Sequence, residues 1–154
     1  MIDEILISLI VVKVDFYNPD VLPDWKLTYS VIAARFRKKW LLVRHHKRTT
    51  FEIPGGHIEE GETPDEAASR ELKEETGAID FAIECVAGYS VEKDGKTGYG
   101  KLYFAEVSQF GPLGDNTEIE EVIVSDGLPD NLTYPDIQPI LFEKVLRYIQ
   151  GLPS

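Results

Sequence analysis

The 154-residue chain has a mass of 17.4 kDa, enough to enclose one hydrophobic core and too little for two full domains, so a single domain over 1–154 is expected. Hydrophobic residues make up 43% and charged residues 28%, an ordinary globular balance that excludes disordered, collagenous and membrane-spanning classes. The 27 acids against 16 Lys and Arg leave a net charge of -11, the wrong sign for gripping duplex nucleic acid through its phosphates.

The chain opens with an apolar run, Ile5 to Val14, that predicts a strand and is too short to span a bilayer, which takes roughly 20 residues. Asp3 and Glu4 stand where a signal peptide would carry cations, so cytoplasmic residence and no membrane partner are expected. Thr28 to Phe36 and Trp40 to Arg44 then read as two strands of a hairpin around Arg37, Lys38 and Lys39. Arg35, Arg37, Lys38, Lys39, Arg44, Lys47 and Arg48 share one acid-free stretch where a small anion could dock. His45 and His46 are adjacent, and neighbours on a strand face opposite ways, which argues against a joint metal pair.

Phe51 to Pro54 predicts a short extended piece ending at Gly55 and Gly56, whose lack of side chains permits backbone geometry closed to other residues. A helix follows with clear punctuation: Thr63 to cap, Pro64 in the first turn, Glu66 to complete a capping box, and Gly77 at a left-handed C-cap. Phe81 to Val91 and Gly100 to Val107 predict two strands around the turn-rich KDGKTG stretch, with another at Glu120 to Val124. Asp136 to Ile149 predicts a closing helix whose apolar residues Ile137, Ile140, Leu141, Val145, Leu146 and Ile149 pack on the sheet. The lone Cys85 permits no internal disulfide and reads as a packed thiol, as suits a reducing compartment.

On the first helix, at about 100° per residue, Glu71, Glu74 and Glu75 fall within one arc beside Ala67, bordering the packing face of Ala68 and Leu72. Two carboxylates about 6 Å apart repel by about 3 kcal/mol at an effective dielectric near 20, and Arg70 relieves this only in part. Either the stripe is a solvated acidic face, or it awaits a cation. Oxygen ligands without thiolate select a hard ion, Mg²⁺ or Mn²⁺, whose shell phosphate oxygens and water would complete.

The stretch GHIEEGETPDEAASRELKEETGA, Gly56 to Ala78, matches G-x5-E-x7-R-E-U-x-E-E-x-G-U, with U a bulky aliphatic residue, and so resembles the Nudix box. Only Ala78 departs, being smaller than usual, with Ile79 next to it able to supply the packing. The resemblance implies an α/β (α+β) fold, a mixed sheet between helices, and a metal-dependent hydrolase of diphosphates linked to a further moiety. It implies Glu71, Glu74 and Glu75 as metal carboxylates, the Gly55 carbonyl as a backbone ligand, Arg70 orienting the carboxylates and Glu62 bracing the loop. Glu71 would be the general base, with Glu74 or a later glutamate as rivals. Glu118, Glu120 and Glu121 lie where many relatives add one more ligand, with Glu118 chosen for the metal set.

On the substrate side, Arg44 is placed to meet phosphate, alongside Gly56, while His46, Lys47 and Arg48 either extend that field or form a solvated loop. His57 reads as a variable loop position. The spacing, the short length and the LP...P ending resemble the mutator-type branch, which clears oxidised guanine nucleotides such as 8-oxo-dGTP, and LTYPDIQPI near the last helix holds Pro139. Pro139 then falls in its base-binding region and Ile137 where some members carry an Asn, leaving Asp136 to read the purine or to cap the last helix. Tyr89, Tyr99, Tyr103 and Phe104 either stack a base or belong to the core. The resemblance favours a nucleoside triphosphate cleaved to monophosphate and pyrophosphate. ADP-ribose, sugar nucleotides and dinucleoside polyphosphates remain open, as does a nucleotide- or metal-sensing module without turnover.

Overall fold

A computed structural model describes residues 11–153. Seven strands form one mixed sheet: β1 (Lys13–Tyr17), β2 (Tyr29–Phe36), β3 (Lys39–His45), β4 (Gly55–His57), β5 (Ala78–Lys93), β6 (Lys96–Phe110) and β7 (Ile119–Ser125). Two helices accompany them, α1 (Pro64–Thr76) and α2 (Gln138–Ile149). The order is β1-β5-β6-β2-β3-β7, with β4 paired to β2 outside that path, and only the β2–β6 pair is parallel.

Side-chain alternation along the central strands divides the apolar residues between the two faces. Val31, Ala33, Trp40, Leu42, Leu102 and Phe104 point one way and pack with Leu141, Phe142 and Val145 of α2. Ile32, Ala34, Leu41, Tyr103 and Ala105 point the other way, against Ala68 and Leu72 of α1. The sheet therefore lies between the two helices, and the expected mixed sheet sandwiched by helices is what forms.

Strand β2 changes partners along its length. Near the hairpin it pairs with β3 through Arg35–Trp40 and Phe36–Lys39, and at its other end with β4, Tyr29 to His57 and Val31 to Gly55. The hairpin turns on Arg37 and Lys38, both at positive φ, as a two-residue turn compatible with strand twist requires. The β5–β6 hairpin turns on Asp94 and Gly95, also both at positive φ. That two-residue turn lets the ladder run from Lys93–Lys96 onward, so both strands outgrow their expected lengths and Lys96 to Gly98 belong to β6.

Several expectations need correction. The N-terminal strand begins at Lys13, and residues 5–10 of the apolar run lie outside the described residues. Gly55 and Gly56 form a strand and have no positive φ; what they supply is room, because a Cβ on Gly55 would stand 2.7 Å from the Ser30 carbonyl oxygen. Ala78 itself is buried at the start of β5 while Ile79 is exposed, so the small residue makes the contact assigned to its neighbour. Helix α2 starts at Gln138 with Ile137 at its N-cap, so Asp136 does not cap it, and Ile140 faces solvent rather than the sheet. Among the described residues no helix is long and apolar enough to cross a membrane.

Candidate active site

Helix α1 is fixed at both ends by its own sequence. Thr63 accepts from the Glu66 N–H and Glu66 returns the bond to the Thr63 N–H, closing the capping box. Gly77 ends the helix at φ 77°, with a Cβ there 2.6 Å from the Gly111 carbonyl oxygen, a position closed to other residues. The Ser30 hydroxyl donates to the Pro64 carbonyl at 2.7 Å, and the Tyr103 hydroxyl bonds Asp65, tying the first turn to β2 and β6. The glutamate stripe is thereby held against β4.

Arg70 is the hub of that stripe. Its Nε and Nη2 donate to the two Glu62 carboxylate oxygens at 2.7 and 2.9 Å, and Nη2 also to the His57 carbonyl at 3.0 Å. Its Nη1 donates to Glu71 at 2.8 Å and to Glu74 at 3.2 Å. This forked bidentate contact holds the Glu62 carboxyl below the usual carboxylate range, and Glu62 also accepts from the Glu59 N–H at 3.0 Å. The loop before the helix is braced to the helix through one guanidinium.

The carboxylates differ in setting. Glu75 is 6% exposed, accepts from the Gly55 N–H at 2.8 Å, and is pushed up to about 8, first by burial and then by Glu71 and other acids around it. Burial also raises Glu71 against the pull of Arg70, and raises Glu52 against His45 and Arg48. Glu74 has a side chain 58% exposed. Gly56 gives Glu71 its place: a Cβ there would lie 2.4 Å from a Glu71 carboxylate oxygen.

Two hollows meet at these acids. One, of about 510 Å³, is walled by Arg70, Glu71, Glu74 and Glu75 and by residues 114–119 before β7. The other, of about 490 Å³, runs from Glu71, Glu75 and Glu118 past His45, Arg48 and Glu52 to Tyr29, Tyr134, Gln138 and Leu141. Glu59, Glu71, Glu75 and Glu118 border both. A charged group and a flatter, less polar group can thus lie side by side with the glutamates between them.

The structure brings Gly55, Gly56, Glu71, Glu75 and Glu118 together along this cleft, with Glu62 and Gly77 behind it as supports. Glu120 is exposed, and Glu121 pairs with Arg44 at 3.2 Å. Arg44 also donates to the Arg48 carbonyl and does not border either hollow; the guanidinium that does is Arg48, which stacks 5.5 Å from the Tyr134 ring. Asp136 is exposed and borders neither hollow, whereas Gln138 borders the second. Tyr103 and Phe104 are core, Tyr89 is buried yet reaches the second hollow, and Tyr99 carries Lys26 at 4.5 Å.

Sequence reasoning missed three contributors. His45 sets Nε2 3.4 Å from Glu75 and 3.6 Å from Glu52, with Nδ1 3.9 Å from Glu118. His57 stacks on Tyr29 at 4.3 Å between ring centroids. Gln138 is buried at the first turn of α2. The signal for His45 was its opposite parity to Arg44 on one strand; Gln138 carried no signal beyond a polar residue on an apolar helix face.

Among the described residues no three acidic, imidazole or thiol groups already stand as a closed ligand set, and Arg70 Nη1 bridges Glu71 and Glu74. The donor chemistry nevertheless fits a hard divalent cation: oxygen ligands without thiolate, with half-buried Glu71 and buried Glu75 side by side at the junction of the two hollows.

Comparison with known proteins bears on the same region. The family model described as the NUDIX domain matches residues 26–129. A Bacillus subtilis (strain 168) protein named "Putative 8-oxo-dGTP diphosphatase YtkD" is 36% identical over 102 residues, 66% of this chain and 64% of that one. The ADP-ribose pyrophosphatase of the same organism is 37% identical over 79 residues, 42% of this chain and 43% of that one. The chain thus spans less than two thirds of the length of either relative. A crystal structure of the Bacillus subtilis pyrophosphohydrolase BsRppH superposes with a TM-score of 0.72 at 28% identity, covering 88% of this chain and 90% of that one.

Proposed function

The chain belongs to the Nudix family, and on that premise we propose that it hydrolyses a nucleoside triphosphate to the monophosphate and pyrophosphate, with an oxidised guanine nucleotide such as 8-oxo-dGTP as the leading substrate. The observation that carries the reaction class is the junction of the two hollows at Glu71 and Glu75. The similarity to YtkD supports the substrate, and the similarity to the ADP-ribose pyrophosphatase makes ADP-ribose the rival to test.

The family generally uses a divalent metal, here assigned as Mg²⁺ or Mn²⁺. Bound, such an ion would neutralise diphosphate charge and acidify water. Glu71, Glu74, Glu75 and Glu118 would hold it, with the Gly55 carbonyl. Glu71 takes the proton of the attacking water, with Glu74 as its rival for that task. Arg70 sets the orientation of both, and Arg48, at the border of the second hollow, meets substrate phosphate in the role expected of Arg44. A lone thiol and a nucleotide substrate fit a cytoplasmic setting.

The test is a panel of normal and oxidised nucleoside triphosphates, ADP-ribose, sugar nucleotides and dinucleotides with Mg²⁺, the products separated by chromatography. Pyrophosphate and monophosphate from 8-oxo-dGTP are expected, and stronger turnover of ADP-ribose would overturn the assignment. Chelation of divalent metal is expected to abolish turnover and Mg²⁺ to restore it.

A further inference from the structure

Residues 111–118, which join β6 to β7, are clipped to the C-terminal end of α1 near both of their ends. At the start the Gly111 N–H donates to the Gly77 carbonyl at 2.7 Å, and at the finish the Thr117 hydroxyl donates to the Glu74 carbonyl at 3.1 Å. The second bond answers a need of the helix. A helix leaves its last carbonyls without internal donors, and the N–H that would reach Glu74, that of Ala78, donates to the Thr76 hydroxyl instead at 3.2 Å. The same Thr117 oxygen accepts from the Ile119 N–H at 3.2 Å. One hydroxyl therefore joins the helix of the glutamate stripe to the first residue of β7, and the residue it straddles is Glu118.

A threonine bonded to a backbone N–H two residues on is an ordinary local turn. The contact to Glu74 is not local, since the two residues stand 43 positions apart, and Thr117 is half-buried between the exposed residues 114–116 and 118. On its other side residue 118 is fastened to the β3 end, where its carbonyl accepts from the His46 N–H at 2.9 Å. The β3–β7 ladder shifts register between Arg44 and His45, which sets His45 opposite Ile119. The Glu118 side chain, 79% exposed, thus borders both hollows from a backbone held on two sides. We propose that Thr117 is a positioning residue of the metal site, fixing Glu118 relative to Glu71, Glu74 and Glu75. The proposal rests on these carboxylates being the metal ligands of the function assigned above.

The test titrates Mn²⁺ into the full chain without substrate and reads the free ion from its electron paramagnetic resonance signal. Thr117→Val keeps the shape and loses the hydroxyl, and is expected to weaken Mn²⁺ binding about tenfold, the usual weight of a group that orients a ligand. Thr117→Ser, which keeps the hydroxyl, is expected to bind within about threefold of wild type. Glu118→Gln separates positioning from general loosening. It is expected to weaken Mn²⁺ in the wild-type chain yet to cost less than about twofold more in Thr117→Val, as for two residues serving one contact. Unchanged affinity in Thr117→Val, no recovery in Thr117→Ser, or full additivity with Glu118→Gln would each overturn it. Should the valine variant not fold, Thr117→Ala completes the same cycle. Glu71→Gln is the control: Mn²⁺ binding that Glu71→Gln weakens and Thr117→Val does not would sink the role of Thr117 alone, whereas a wild-type chain that takes up no Mn²⁺ would sink it together with the metal assignment. Hydrolysis is measured separately. The expected Mn²⁺ pattern without product formation would sink the hydrolase assignment and leave Thr117 standing.

Discussion

Replacing Gly56 by alanine separates the site from the fold. The new Cβ would sit 2.4 and 2.8 Å from the two Glu71 carboxylate oxygens and 2.5 Å from the carbon between them. Carbon–carbon contacts settle near about 3.5 Å, so the carboxylate must retreat by about 1 Å. It is the far end of a flexible side chain and can do so without moving the backbone. The cost to stability is then part of the Arg70–Glu71 contact, about 1 kcal/mol, or a fall in Tm of about 2–4 °C. The cost to turnover is larger, because a misplacement of about 1 Å at a reacting group lowers rate by about 10². Gly55→Ala provides the contrast. Its Cβ would meet the Ser30 carbonyl oxygen at 2.7 Å and Val31 Cα at 3.0 Å, both backbone, so overpacking costs about 1–3 kcal/mol and a fall of about 2–12 °C. Thermal melting and steady-state kcat with Mg²⁺ on both variants check this. Full turnover in Gly56→Ala, or loss of its fold comparable with that of Gly55→Ala, would refute the reasoning.

Glu71→Gln is expected to keep the fold and lower kcat by about 10² to 10⁴, the weight of a general base; unchanged turnover would remove Glu71 from the chemistry. Arg70→Lys is expected to act nearly as severely as Arg70→Ala on both kcat and Tm, since one ammonium cannot reproduce the fork on Glu62; recovery in the lysine variant would contradict this. Glu75 is a carboxylic acid raised to about 8 in the fold, so between its unfolded value and about 8 the native state holds the extra proton. Metal-free stability should therefore fall as pH rises through that window, and Mg²⁺ should flatten the fall. Melting curves from pH 5 to 8.5 measure it, and Glu75→Gln should lose this component.

Helix α1 and its glutamates were legible because local chemistry determines them: a capping box, a left-handed glycine and an acidic stripe need no knowledge of the rest of the chain. The central strands were legible for a similar reason, since alternating apolar residues serve two cores. The substrate flank was not. Arg44 and Arg48 are equivalent by charge, and only the β3–β7 register, which places Arg44 opposite Glu121, decides which guanidinium faces the cleft. Gln138 takes its meaning from Ile53, 85 positions away along the chain. Asp136 looked like a cap by residue type, but the helix begins one turn position later than that reading requires.

Strand β2 shares its length between two partners, β3 at the hairpin and β4 at the far end, and residues 46–54 bridge the fork between them. A ribbon that splits in this way leaves a notch, spanned on the β3 side by the Val43–Glu52 bridge, and Arg48, Glu52 and Ile53 on the bridging segment line it. Exchanging only the exposed residues 46–49 would redraw the rim of the notch while the paired and buried residues after them stay put. Loop grafts at 46–49 are thus the natural handle for reshaping the mouth of the cleft.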